Sequence, residues 1–277
     1  MFLSNWIEAK YPQKHEKFTI NLNIPTNSVQ KRDFLDVADS TAKLIASTFN
    51  NPTIVITGGL DSEFIATTFI RNKIPFQPVI FISPYDPYEY RYALNFCKNN
   101  NLKPIVLDYS DEEKFDTVIV PIIAKFLYAI KRGKWLGSLP YVVSTLVPGD
   151  YIIGSMDPLI HTEQSFYNKA DPNLILYDYD FFTINELDNV CSFLGCTEDM
   201  FFNFVANLDF SLSAQEAKRR LYGNLIWRPK IEVVAPQDSY VIRACVKIKQ
   251  ILNDAINFED SSHTFGHKDV LLGRYMK

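Results

Sequence analysis

Apolar positions along this 277-residue chain fall into two rhythms. Short runs of β-branched and aliphatic residues occur at Thr53–Ile56, Val79–Ile82, Pro104–Leu107 and Tyr151–Gly154. The first reads as a buried parallel strand and the others as further strands of a parallel sheet. Between them the apolar residues recur at helical spacing. Residues 32–49 form an amphipathic helix, with Phe34, Val37, Leu44, Ile45 and Phe49 available to pack, closed by Asn50-Asn51-Pro52. A second helix runs through Ile65, Thr68 and Phe69. Asp86-Pro87-Tyr88-Glu89 opens a third, with a cap, a proline in first position and a returning glutamate; it carries to Asn99-Asn100-Asn101. Asp108–Arg132 reads as mostly helical with a break at Pro121, and Ser138–Val147 as another short helix.

The two ends are read from weaker patterns. Residues 1–30 suggest a short helical opening, then an alternating edge strand at Phe18–Ile24, broken by Pro25-Thr-Asn-Ser28. Leu174-Ile-Leu-Tyr177 is a fifth strand or a spacer. Beyond it the chain turns helical: Thr183-x-x-Glu186 and Ser213-x-x-Glu216 are capping boxes, Thr197-Glu-Asp opens a helix, and Gly195 and Gly223 punctuate helix ends. A long helix spans residues 238–255, and residues 261–277 read as a loop with a short terminal element. Strands separated by helices at this spacing are βαβ units. The expected fold is α/β: a doubly wound, mainly parallel sheet with flanking helices and a helical C-terminal part. The expected division is an extension (1–31), an α/β domain (32–180) and a helical part completing the active site (181–277).

Composition narrows the classes. The chain is 47% hydrophobic, enough for a sizeable core, and carries a formal charge of −4, which offers no global attraction to nucleic acid or to anionic membranes. No apolar run reaches the roughly 18 residues of a membrane span, and the N-terminus lacks a basic n-region, so a soluble, cytoplasmic protein is expected. Cys97, Cys191, Cys196 and Cys245 form no CxxC pair or zinc spacing and read as reduced structural thiols. His161, His263 and His267 do not signal a metal; His263 and His267 have helical spacing but no adjacent acid.

The chemistry concentrates where the first strand of the series meets its helix, at Thr57-Gly58-Gly59-Leu60-Asp61-Ser62. Strand, tight glycine turn and helix N-terminus together make an anion site: glycines admit a close phosphate, the first helical turn offers N–H groups, and the Thr57 and Ser62 hydroxyls add donors. No Gly-Lys-Ser/Thr follows, so this is not a Walker loop, and no third glycine makes it a dinucleotide fingerprint. In a doubly wound sheet, ligands sit at the carboxyl ends of strands where the order reverses. Ser83, at the end of the second strand, and Gly154-Ser155-Met156-Asp157, after the fourth, are therefore expected to share a crevice with the loop. Asp61 could instead cap its helix, and Asp157 could belong to an Asx-Pro turn.

The hexapeptide resembles the SGGxDS pyrophosphate loop of the N-type ATP pyrophosphatases. This PP-loop superfamily, adenine nucleotide alpha hydrolase-like in fold (the HUP type), includes the synthetase domain of asparagine synthetase. Gly58, Gly59, Asp61 and Ser62 match, Leu60 fills the free slot, and Thr57 replaces serine while keeping a hydroxyl. The resemblance extends in pattern over residues 32 to about 160 and is specific over 52–64. It implies an ATP pyrophosphatase that binds ATP and Mg²⁺ and adenylates a substrate carboxylate or carbonyl. Thr57, Gly58, Gly59, Leu60, Asp61, Ser62, Ser83 and Gly154 would contact the nucleotide, with Asp61 and Asp157 on the metal. The family also uses a cation from its C-terminal helical part, for which Arg228 and Lys230, fixed by Pro229 beside Trp227, are the candidates. Lys218-Arg219-Arg220 reads as a solvated basic face.

Residue 2 is Phe and only about 50 residues precede the loop, so no fused glutaminase is expected. The cysteines do not fit the thiouridine-forming or zinc-binding branches. The leading expectation is an AMP-forming, asparagine synthetase-like ligase acting on small carboxylate and amine substrates. A PP-loop enzyme that modifies a tRNA or DNA base, and a catalytically silent nucleotide-binding or partner-binding protein, stand as alternatives. Thr57 and the extra acid Glu63 keep the silent reading open.

Overall fold

The computed structural model describes residues 7–10, 19–22, 30–84, 89–123, 139–154, 190–209, 211–212 and 214–223. Near the N-terminus β1 (Ile7–Lys10) pairs antiparallel with β2 (Thr19–Leu22), with Ile7 opposite Leu22. The expected strand at residues 18–24 is thus present, but a strand stands where a helical opening was anticipated. Ile7-Glu-Ala-Lys alternates apolar and polar, which suits a two-residue period as well as a helical one.

α1 (Phe34–Thr48) begins at Asp33, whose carboxylate accepts from the Leu35 and Asp36 amides. Its inner stripe is Phe34, Val37, Ala38, Thr41, Ala42 and Ile45, with Phe49 buried just beyond. Leu44 falls about 90° from the middle of that stripe by helical geometry and is 41% exposed, so it does not pack as expected. β3 (Pro52–Val55) follows, then the glycine turn and α2 (Leu60–Arg71), β4 (Gln77–Ile82), α3 (Glu89–Asn99) and β5 (Ile105–Asp108). Asp86-Pro87-Tyr88, the expected opening of α3, lies outside the described residues.

After β5, Asp111 caps a short α4 (Glu112–Lys114) that widens at once into a π-helical turn, Phe115–Ile119, where Val120 N–H donates to Phe115 O. The break expected at Pro121 appears as this widened turn, with helix continuing over 120–123. A proline ring collides with the carbonyl four residues earlier, and a wider turn moves that carbonyl away. α5 (Leu139–Leu146) and β6 (Asp150–Ile153) match the expected short helix and fourth strand.

The fifth strand is β7 (Val190–Ser192), in a stretch expected to be helical and beyond the span assigned to the α/β part. Leu174–Tyr177 lies outside the described residues, as do the Thr183 and Ser213 capping positions and residues 238–255. α6 (Glu198–Asn207) is capped by Thr197, whose hydroxyl accepts from Met200 N, and α7 (Ala214–Tyr222) ends at Gly223 with φ +68°.

β3 to β7 form one parallel sheet in the order β5-β4-β3-β6-β7, so the sheet is doubly wound. The central strand β3 is buried along its whole length, as a strand flanked on both faces must be. On one side α1 packs against α2 and α6, and α7 against α2. Phe34, Phe64, Phe69, Phe193, Phe204 and Tyr222 fill the space between them. Cys97, Cys191 and Cys196 are free and buried, as expected for structural thiols; burial pushes the Cys97 thiol up to about 11. The Cys196 hydrogen bond, then burial, raise Cys191. No helix among the described residues is long and apolar enough to cross a membrane.

Candidate functional site

From β3 the chain winds outward through β4 to β5, then returns to the other side of β3 to lay down β6 and β7. The reversal falls between β3 and β6, and the carboxyl ends of those two strands are where a doubly wound sheet opens a crevice. The segment leaving β3 is Thr57–Ser62. The residue leaving β6 is Gly154.

Gly58 sits at φ +82°, a left-handed conformation, and a Cβ there would lie 2.3 Å from the carbonyl oxygen of Glu89 at the start of α3. Both backbone conformation and space therefore require glycine. The hydroxyls of the loop hold its shape. Ser62 Oγ accepts from Thr57 N (3.2 Å), lies 3.2 Å from Thr57 Oγ1 and donates to Gly59 O (3.1 Å), while Thr57 Oγ1 accepts from Gly59 N (3.2 Å). A threonine serves this lattice as well as a serine, since only the hydroxyl is used. α2 starts at Leu60 with Gly59 as N-cap and no side-chain capping bond. The amides of Leu60 and Asp61, in the first turn, have no acceptor within the helix.

Gly154 reaches this turn: a Cβ at Gly154 would be 2.7 Å from Asp61 Cβ and 3.4 Å from Ser62 N. The ends of β3 and β6 thus touch through Asp61 and Gly154. Ser83 is buried at the end of β4, the neighbouring strand. Asp157, Arg228 and Lys230 lie outside the described residues.

Asp61 does not cap its helix. Its Oδ2 accepts from Lys218 Nζ at 2.8 Å and its Oδ1 from Tyr222 OH at 2.5 Å. Lys218 and Tyr222 are four residues apart on α7 and so project from one face. Tyr222 is fixed by its ring, which stacks on Phe64 of α2 at 4.2 Å and 9°. Lys218 is 6% exposed, so the expectation of a solvated basic face fails for it. Arg220 fulfils that expectation, pairing with Asp209 at the surface at 2.7 Å. Arg219 is half-buried, and its Nε is buried without a hydrogen-bond partner.

A legible signal existed for Lys218. Ala217, Lys218, Leu221 and Tyr222 make the two-turn stripe by which α7 packs, with the lysine inside it. A lysine in a buried stripe needs an acid, and Asp61 was the acid with a site of its own. Glu63, the extra acid of the loop helix, is also buried.

No protein-family model matches the chain, and no curated protein matches it. Among solved structures, the chain is similar to NMN synthetase from Francisella tularensis, with 12% sequence identity and a TM-score of 0.34 over 72% of this chain and 100% of that one. A likeness at that level assigns no activity to this chain.

Among the described residues no group of three or more His, Cys, Asp and Glu side chains is placed to hold a metal. One carboxylate has spare capacity: each oxygen of Asp61 accepts one bond and retains a further lone pair.

Proposed function

We propose that the chain is an ATP pyrophosphatase of the PP-loop kind, cleaving ATP between its α- and β-phosphates to adenylate a carboxylate substrate. The observation that carries this reading is the placement of Thr57–Ser62. A hexapeptide of that composition leaves the central strand at the point of strand reversal, with Gly58 at φ +82° and Gly154 against its far side.

The first-turn amides of α2, at Leu60 and Asp61, hold the β- and γ-phosphates where the two glycines let the backbone come close. The α-phosphorus then faces the crevice. A carboxylate oxygen of the substrate attacks it, the bond to the β-phosphate bridging oxygen breaks, and pyrophosphate leaves with that electron pair. An amine nitrogen next attacks the acyl carbon, the acyl carbon–oxygen bond breaks with its electron pair leaving on AMP, and the nitrogen gives up a proton to solvent, forming the amide. Ammonia or another small amine is the donor in the asparagine synthetase-like form of this reading.

Charge accumulates on the departing pyrophosphate, so amides preorganised toward it contribute more to the transition state than to the ground state. The donor set at the loop fits a hard cation bound through one or two carboxylates and phosphates. Asp61, through its spare lone pairs, and Asp157 are the residues that would hold Mg²⁺, which supplies neutralising charge to the leaving group. Lys218 adds a positive charge one ion pair away.

The test is incubation of the protein with α-labelled ATP, Mg²⁺ and a metabolite pool. AMP with pyrophosphate is the expected product, and Asp61→Ala lowers its rate by about a hundredfold or more. ADP with phosphate as the product, or unchanged AMP release from Asp61→Ala, contradicts the reading. If a tRNA or DNA substrate alone triggers AMP release, the same loop serves a base-modifying enzyme.

A further inference from the structure

The glycine loop carries a liability. A site meant for a polyanion has a carboxylate, Asp61, in the same first turn as the amides that would bind it. At close range a like charge opposes phosphate binding by more than one amide hydrogen bond returns. Nothing in the strand-loop-helix unit cancels that charge; the cancellation comes from α7, more than 150 residues later in the chain.

Resting on the reading that the loop binds a triphosphate, we infer that Lys218 is the counter-charge of the site. It pairs with Asp61 to make the loop receptive to phosphate before any metal is present, and Tyr222 positions the carboxylate for that pairing. Four observations converge. Lys218 Nζ lies 2.8 Å from Asp61 Oδ2, and the lysine is buried while Asp61 keeps 26% of its side chain exposed. The pair therefore reaches solvent on the acid's side. Tyr222 OH holds the other oxygen at 2.5 Å. The Tyr222 ring, clamped on Phe64 from the loop's own helix, sets the distance between α7 and α2 independently of the charges. Finally, the absence of a side chain at Gly154 lets β6 close on Asp61: a Cβ there would lie 2.7 Å from Asp61 Cβ.

If Lys218 only supported packing, breaking its pair would lower stability and leave the metal-free anion affinity of the folded protein unchanged. Loss of a counter-charge lowers that affinity. Lys218 is thus a positioning residue whose effect is read in anion affinity and its dependence on divalent cation.

Pyrophosphate and ATP binding are measured by calorimetry on the full chain, first in EDTA and then in Mg²⁺. The wild type is expected to bind both without metal. Lys218→Met, leaving Asp61 uncompensated, loses about ten- to a hundredfold in affinity in EDTA and recovers most of it in Mg²⁺. Lys218→Arg keeps the metal-free affinity. In the double variant Asp61→Asn with Lys218→Met, neither charge remains and metal-free binding returns toward wild type. That rescue separates a charge effect from a folding defect, and thermal melts of each variant accompany the titrations. Equal metal-free affinity of the wild type and a folded Lys218→Met overturns the counter-charge role while leaving the nucleotide reading intact. The same role falls if the double variant binds as poorly as Lys218→Met. Absence of ATP and pyrophosphate binding by the wild type under every condition overturns both.

Discussion

Gly58 concentrates the requirements of the site in one residue. Its φ of +82° costs a side-chain-bearing residue about 1–2 kcal/mol, and the Glu89 carbonyl occupies the space a methyl group would need. Gly58→Ala is therefore expected to lower stability by about 2–4 kcal/mol, adding strain to a displaced α3 terminus. Urea denaturation measures it; a loss below about 0.5 kcal/mol would mean that the turn relaxes freely and is not held in shape. Residue by residue, the sequence was most informative here. Thr57, Gly59 and Ser62 bond to one another across the loop while Gly58 makes its turn, because a turn this tight permits few residue types. Asp61 was legible as a member of the turn, but its partners were not. Its bonds to Lys218 and Tyr222 join positions 157 and 161 residues apart, and no local pattern encodes that separation.

At the level of elements, strands and helices bounded by strong punctuation were readable and the rest were not. α2 lies between Gly58-Gly59 and Asn72 and β4 between Pro75 and Pro84, while α1 stops at Asn50-Asn51-Pro52 and β5 starts after Pro104. β7 is only Val190-Cys-Ser192, too short to show any period; it exists because β6 offers it an edge to pair with. β1 was misread for a related reason, four residues being compatible with either period.

Docking of α6 against α1 is another long-range feature, and it turns on Asn203. This buried amide accepts from Arg32 N at 2.7 Å and donates to Asp199 Oδ1 at 2.8 Å, tying α6 to the lead-in of α1. Asn203→Leu leaves the Arg32 amide without that acceptor and is expected to cost about 1–3 kcal/mol. A chemical denaturation curve with unchanged slope and lower midpoint reports this; a midpoint equal to the wild type would show that water replaces the asparagine at no cost.

Across the whole molecule, the doubly wound sheet brings three distant stretches to one place: the turn after β3, the glycine after β6, and the inner face of α7. The order of strands explains the first two, since the reversal point lies between β3 and β6. Topology of this kind was foreseeable from alternating strands and helices. The third was not, because α7 reaches the site through tertiary packing of an aromatic layer built on Phe34, Phe64, Phe204 and Tyr222. That layer brings α7 to Asp61 by contact rather than by proximity in sequence.

The most direct measurement is a crystal structure of the protein with α,β-methylene-ATP, in which the bond to be cleaved is blocked. The β- and γ-phosphates are expected within hydrogen-bonding distance of the main-chain amides between Gly58 and Asp61, with the α-phosphorus open toward Gly154. A triphosphate seated elsewhere on the fold, with those amides turned away from it, would contradict the account.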